Sequence, residues 1–516
     1  MENTVKLNKS IIACAIVIAL GAQQSAFAAD SGARGESGKN IDKVYISNDM
    51  MTDAAGNVII LSQTSQDGAV FGNAVNLEQD GETNGINAAV NGDDNNSSIN
   101  QIGTNNIAIS SSMGDANNQS IRQEGDGNQA EATLVGGGNS IAVIQDGDGY
   151  FGITNASVNI IEGNSNSVNM EQGEGGHWSY NKNMVGSANT IQTKQSGEWN
   201  EVHLDNIIGN ANHIEVSQDG YWSATKVLNL EGHDNALTVD QQGDTNALTF
   251  TNIEGNSNQL DVEQEGNSNE ITLADLSGDM NDIEIDQEGD TNQVVSNLFT
   301  GSDNDVSISQ AGDENVSTFD IIGEGNEFNI DQLGSTNSSY VGAIGMNNEF
   351  TVRQTGDLNE SHVVNFNGDN NEVDVIQTGD QNVAVVQASQ VNNALITDDN
   401  NINVSQVGDM NDAVVNLSSI LDSNFNTIDI AQNGDLNGLD LLIEGSNHNI
   451  DILQEGNENM ITGTDGTAML IGGGGVNLSI SQMGNGNIVE GSVISSVGSI
   501  TIAQVGDWNS ATIVQQ

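Results

Sequence analysis

The residues with which this chain could do acid–base or metal chemistry are six histidines and 72 carboxylates. His177, His203, His213, His233, His362 and His448 stand apart from one another. His203 and His213 are ten residues apart with no cysteine near them, whereas a zinc site gathers three or four nitrogen and sulfur ligands. No G-x-S-x-G, H-E-x-x-H or Walker loop occurs, and the glycine runs at 135–140 and 472–476 are followed by no lysine that would hold a phosphate. Asp357, Asp380, Asp409 and Asp435 recur at one phase, which makes them candidate ligands for calcium, a cation that takes oxygen donors. The alternative is a solvated acidic face. Trp178, Trp199, Trp222 and Trp508 fall at turn positions, as an aromatic platform for glycans or as exposed turn filler. These residues assemble no catalytic set, so the expectation is a protein that is not an enzyme and needs no cofactor.

Charge narrows the partners. With 72 acidic and 10 basic residues the formal charge is -62, so nucleic acid and anionic lipid are repelled and cations or basic partners are favoured. Lys6 and Lys9, the apolar run 11–22 and the A-x-A site at 26–28 predict a secretory signal peptide over residues 1–28, too short to span a membrane as a helix. Cys14 is the only cysteine; it reads as filler of that run or as part of a lipoprotein cleavage box. Cleavage after Ala28 leaves a chain without disulfides.

What positions the polar residues is a repeat. Nineteen units anchored on Gln-x-Gly-x-x-Asn, 16 of them complete, run between Gln79 and Gln504, mostly at gaps of 22 or 23 residues. Glycine stands two places after Gln in 18 units, and Asn stands five after and six before it in 16 each. Apolar residues at -4 and -2, such as Leu260 and Val262 before Gln264, alternate with polar ones, the period of a strand. Asn246, Leu248 and Phe250 continue the alternation beyond the turn. In the 23-residue units an apolar residue stands at +12 (Ile253, Leu276, Phe299, Ile322), and the extra residue predicts a bulge in the second strand. Each unit reads strand, turn, strand, turn, with Gly243, Gly266, Gly289, Gly312, Gly334 and Gly356 in turns because glycine tolerates positive φ.

A short strand cannot bury its apolar face alone, but stacked coils can. The expected fold class is all-β, a β-solenoid of about 19 coils of 22–23 residues, cross-β and amyloid-like, over residues 73–516. Residues 29–72 form a non-repeat segment. Buried amides need partners. Stacking brings Gln195, Gln218, Gln241, Gln264, Gln287, Gln310, Gln332, Gln354 and Gln377 into one amide ladder. It brings Asn246, Asn269, Asn292, Asn315 and Asn337 into a second, each amide donating to one neighbour and accepting from the other.

On these motifs the chain resembles the curlin repeat of the curli major subunit and its relatives. The family pattern is Ser, five residues, Gln-x-Gly-x-Gly-Asn, then a second Gln; here it reads Asn-x5-Gln-x-Gly-x-x-Asn, as in NQLDVEQEGNSN at 258–269. QEGDGN at 123–128 and QMGNGN at 482–487 keep the glycine before Asn. Asn replaces Ser in most units, the second Gln is largely missing, and the repeats are more numerous than is typical of the family. The resemblance implies secretion through an outer-membrane pore, nucleation by a minor related subunit, and assembly with copies of itself into extracellular amyloid fibres of a biofilm matrix. Residues 29–72 would then address the pore, or act as a disordered leader.

Independent of family, no capping unit or proline closes the final strand sequence, which makes each end a template for another copy. Stacked aspartates at +3 would repel, so assembly is expected to respond to acid, salt and divalent cations. The alternative function is a soluble monomeric β-solenoid adhesin or surface-binding protein.

Overall fold

The computed structural model describes residues 57–64, 72–147, 155–388 and 395–515, apart from the single positions 174, 206, 228, 251, 274, 275, 365 and 497. The signal segment and most of 29–72 lie outside the described residues. The protein is all-β, 67% strand, a parallel-strand β-solenoid of about 18 turns in all. It divides into two compact units, one over Asn40–Thr291 and one beginning at Asn292 and running to Gln516.

In the first unit every coil contributes one Gln-bearing strand and one opposite strand. Gln259–Glu265 pairs in parallel with Asp282–Glu288, placing Leu260 on Ile283, Val262 on Ile285 and Gln264 on Gln287. Exposure alternates strictly along Gln259–Glu265, so the apolar residues and the Gln face inward and the acidic ones outward. Like meets like because the coil length equals the repeat length. Among the 23-residue coils the opposite strand Trp178–Ser187 runs unbroken, and others are described as two stretches, Glu201–Asp205 with Ile207–Asn210 and Glu270–Leu273 with Leu276–Ser277.

The second unit repeats the scheme. Glu327–Leu333 pairs in parallel with Glu349–Thr355, setting Phe328 on Phe350 and Gln332 on Gln354. Its 22-residue coils have unbroken opposite strands, such as Val316–Ile322 and Ser338–Ile344, in register along their whole length. Where the 23-residue coil with Gln293–Thr300 meets Val316–Ile322, the register slips between Ser296 and Leu298, a bulge of one residue. Phe299, two places past the slip, is 1% exposed.

Two sequence expectations change here. Ile322 does not take the inward place of Phe299: it is 39% exposed and Ile321 is fully buried. Its coil has 22 residues and no bulge, so the inward parity is kept and +11 faces the core. The side chains of Ile253 and Leu276 lie outside the described residues. The repeat also begins earlier than residue 73. Val58–Thr64, placed in the non-repeat segment by sequence, pairs in parallel with Gly85–Asn91, and Asn57 Oδ1 accepts the Asn84 N–H at 3.0 Å. Its composition hid it, since VIILSQT lacks the Gln-Gly signature that marks the other strand of each coil.

The turns explain the glycines. Gly243 has φ +102 and Gly334 φ +125, and a Cβ on either would lie 2.1 Å from the carbonyl oxygen of the next coil's glycine, Gly266 or Gly356. Positive φ and close stacking exclude side chains together. The other turn glycines singled out by sequence share the conformation, with φ +108 at Gly266, +111 at Gly289, +117 at Gly312 and +118 at Gly356.

Candidate functional site

The polar interior is the feature around which any function must be built. Gln195, Gln218, Gln241, Gln264, Gln287, Gln310, Gln332, Gln354 and Gln377 are all at most 1% exposed. In the first unit Nε2 of Gln195 donates to Oε1 of Gln218 at 2.9 Å, Gln218 to Gln241 at 3.0 Å, Gln241 to Gln264 at 2.8 Å and Gln264 to Gln287 at 2.8 Å. The same direction holds back to Gln79, which donates to Gln101 at 2.8 Å. In the second unit Gln310 donates to Gln332 at 2.8 Å, Gln332 to Gln354 at 2.8 Å and Gln354 to Gln377 at 2.9 Å. Rungs then continue to Gln504.

Each of these amides has a second N–H, and it crosses the core. Gln241 Nε2 reaches the Ala224 carbonyl at 3.3 Å and Gln354 Nε2 the Ser338 carbonyl at 3.0 Å, both at the start of an opposite strand. One residue type therefore links coil to coil and sheet to sheet, and both hydrogens and the oxygen of the buried amide are used.

Asn246, Asn269, Asn292, Asn315 and Asn337 are fully buried. Their bonding differs from the amide-to-amide stack expected from sequence. Asn246 Oδ1 accepts the backbone N–H of Asn269 at 3.0 Å, and its Nδ2 donates to the Gly266 carbonyl at 2.9 Å. Asn292 does the same with the N–H of Asn315 and the carbonyl of Gly312, at 3.0 and 2.7 Å. Asn337 Nδ2 reaches the Gly356 carbonyl at 2.8 Å. The shorter side chain sits against the turn, so it holds the next turn's backbone first; amide contacts such as Asn337 Nδ2 to Asn315 Oδ1, at 3.1 Å, are added to this. Turn asparagines and turn glycines thus form one joint.

Two histidines occupy rungs of these Asn ladders, which sequence reading left as isolated residues. His177 Nδ1 accepts the Asn200 N–H and His448 Nδ1 the Val476 N–H, both at 3.3 Å, as an Asn Oδ1 would. Burial holds His448 below the usual imidazole range, opposed by its hydrogen bond to the Glu444 carbonyl. Their phase, five after one Gln and six before another, was the available signal.

The four aspartates stack as Asx joints. The backbone N–H of Asp357 donates to Asp380 Oδ1 at 2.9 Å, that of Asp380 to Asp409 Oδ1 at 3.0 Å and that of Asp409 to Asp435 Oδ1 at 3.0 Å. Charge-assisted bonds of this kind are about twice as strong as neutral ones, and they offset the like-charge repulsion expected along the column. Among the described residues no three His, Cys, Asp or Glu side chains come together as a metal ligand set.

A second titratable group lies on the outer face of the first unit. His203 Nε2 contacts Glu201 Oε1. Burial pushes Glu201 up to about 7 while Lys226 pulls it down, and burial, then Lys226, holds His203 down to about 3. His362 and Glu360, at the same repeat position in the second unit, are 2.6 Å apart.

Parallel coils stacked in register and continuous amide ladders define a cross-β solenoid. The family model for the curlin associated repeat matches residues 186–220, 255–289, 301–334 and 323–356, so this stretch of the chain carries curlin repeats. No curated protein matches the chain. The repeat is that of curli-type amyloid subunits, a family associated with self-assembly and extracellular curli fibres.

Proposed function

We propose that this protein is a secreted structural subunit that assembles with copies of itself into curli-like extracellular fibres serving matrix formation, adhesion and cell aggregation. The observation that carries this reading is the Gln ladder, which runs rung after rung with one donor direction in each unit. That is the side-chain arrangement of cross-β stacks, in which each coil presents to the next the surface it receives from the last. The curlin repeats support the reading. With them come the expected partners, a minor nucleating subunit and an outer-membrane secretion pore. The role is structural and not enzymatic. Divalent cations remain an optional partner through the carboxylate faces, and a charge of -62 argues against nucleic acid.

The test is dilution of residues 29–516 from denaturant, followed by thioflavin fluorescence and fibre diffraction. The expected product seeds its own growth and gives a meridional reflection at about 4.7–4.8 Å. A β-rich monomer that never seeds overturns the proposal in favour of a soluble surface-binding solenoid.

A further inference from the structure

Beyond assembly, one turn arc of the first unit differs from the rest. Trp199 and Trp222 stand at equivalent positions in consecutive coils, with Tyr221 beside them. The three rings stack on one another, with centroids 5.8 Å apart for Trp199–Tyr221, 5.4 Å for Trp199–Trp222 and 5.4 Å for Tyr221–Trp222, and interplanar angles of 25°, 20° and 7°. Tyr221 is 38% and Trp222 47% exposed. Both tryptophans have positive φ, +64 and +61, which disfavours bulky side chains. Other turns place Leu358, Met410 or Leu436 at this position, but not a set of stacked rings. The next coil reverts to hydroxyls, Thr245 bonded to Ser268 at 2.8 Å. Trp199 Nε1 is buried without a hydrogen-bond partner.

The surroundings are acidic. Glu198 precedes Trp199 and pairs in register with Tyr221, Asp219 lies two residues before Tyr221, and Asp244 Oδ1 accepts the Tyr221 N–H at 3.0 Å. All three carboxylates are exposed. Lys194 and Lys226 belong to the same coils but sit on strands, outside the turn.

From this we infer that Trp199, Tyr221 and Trp222 form a binding platform for a polysaccharide of pyranose rings bearing free amino groups. The apolar face of a pyranose stacks on indole and phenol rings, and an ammonium group is attracted both to ring faces and to the carboxylates beside them. Charge selects among glycans: a chain of -62 repels uronate or sulfate polymers at long range and attracts cationic ones.

The test is calorimetric titration of the full chain with a glucosamine hexamer, its N-acetylated counterpart and a uronate hexamer, at physiological salt. The variant is Trp199→Thr, Tyr221→Asn and Trp222→Thr together, residue types that neighbouring turns carry at these positions (Thr245, Asn267). It leaves net charge unchanged, so diffuse attraction to the acidic surface persists in it. Binding of the glucosamine hexamer should weaken about tenfold in the variant, as expected for loss of several ring contacts. In the native chain the N-acetylated hexamer should bind more weakly and the uronate not at all. Equal binding by native and variant chains, equal affinity for the N-acetylated hexamer, or no binding of the glucosamine hexamer overturns the inference. The variant should still assemble and seed as the native chain does, so this result stands apart from the test of assembly.

Discussion

The two units share one polar framework and fill it oppositely. In the second unit the largest buried side chains are Phe299, Phe319, Phe328, Phe350 and Phe366, with Phe328 and Phe350 stacked at 5.2 Å and 8°. Among the described residues of the first they are aliphatic, including Ile99, Ile121, Leu134 and Ile161, and its stacked rings stand outside at Trp199, Tyr221 and Trp222. The Gln rungs do not differ: 2.8 Å joins Gln241 to Gln264 and Gln332 to Gln354. Register is therefore held by amides and turn glycines, while the apolar filling is exchangeable as long as it keeps to the inward parity.

The sharpest way to break this equivalence is at the core. Phe350→Ala should destabilise the second unit by about 3–5 kcal/mol, whereas Val239→Ala in the first should lose about 2 kcal/mol. Amide exchange, read residue by residue, checks this. At the shared framework the units should respond alike. Gly266→Ala and Gly334→Ala place a Cβ within about 2 Å of a carbonyl at positive φ, and each is expected to lose upward of about 3 kcal/mol in a denaturant melt. Gln241→Ala and Gln354→Ala each leave a neighbouring donor and acceptor unpaired, at about 2–4 kcal/mol; a much larger loss in one unit than the other would sink the idea of a common ladder.

Acid should separate the units again. Asp412 in the second unit is pushed up to about 6 by burial, with Asp440 and Glu360 adding to it, and Asp440 and Glu349 are raised as well. A carboxyl raised in the folded state binds its proton more tightly there. Its contribution is thus complete below the unfolded value near 4 and lost as pH rises through the folded one. Between pH 7 and 4 the second unit gains from these groups, with His448 opposing. In the first unit Glu201, about 7, gains over the same window, but His203, lowered to about 3, is lost as pH falls below its unfolded value of 6.5. These two oppose each other, while Glu263 and Asp286, both raised by burial first and then by neighbouring carboxylates, add a gain to the first unit as Asp440 and Glu349 do to the second. Amide protection on going from pH 7 to 5 should rise more in the second unit, and His203→Asn should bring the first closer to it. The smallest effect is expected at Asp380→Asn. Oδ1 still accepts the Asp357 N–H, so stability should move by less than about 0.5 kcal/mol, and calcium should act on variant and native alike.

Much of this architecture was legible because a repeat makes its own alignment. Gln264 and Gln287 stand 23 residues apart in coils of that length, so they must face each other if the coils stack at all. The bulge was legible from the extra residue, but its reach was not. Ile322 matched Phe299 by offset from Gln, yet only the count to the next Gln shows that its coil carries no bulge. Val58–Thr64 escaped because pattern recognition follows the Gln strand, while the opposite strand is marked only by alternation and by the single Asn57.

From sequence alone came the period, the inward parity and the identity of the turn residues, since each follows from local geometry repeated many times. Only the tertiary structure decided where the polar hydrogens go. Gln is long enough to reach both the next Gln and the opposite strand, whereas Asn, held against the turn, meets a glycine carbonyl and a backbone N–H first. The same holds for His177 and His448, which enter the Asn ladders because a ring nitrogen falls where an amide oxygen would, and for Trp199 and Trp222, which become a stack only when consecutive coils align. These contacts join residues 17 or more positions apart, and their chemistry depends on distances that spacing alone does not specify.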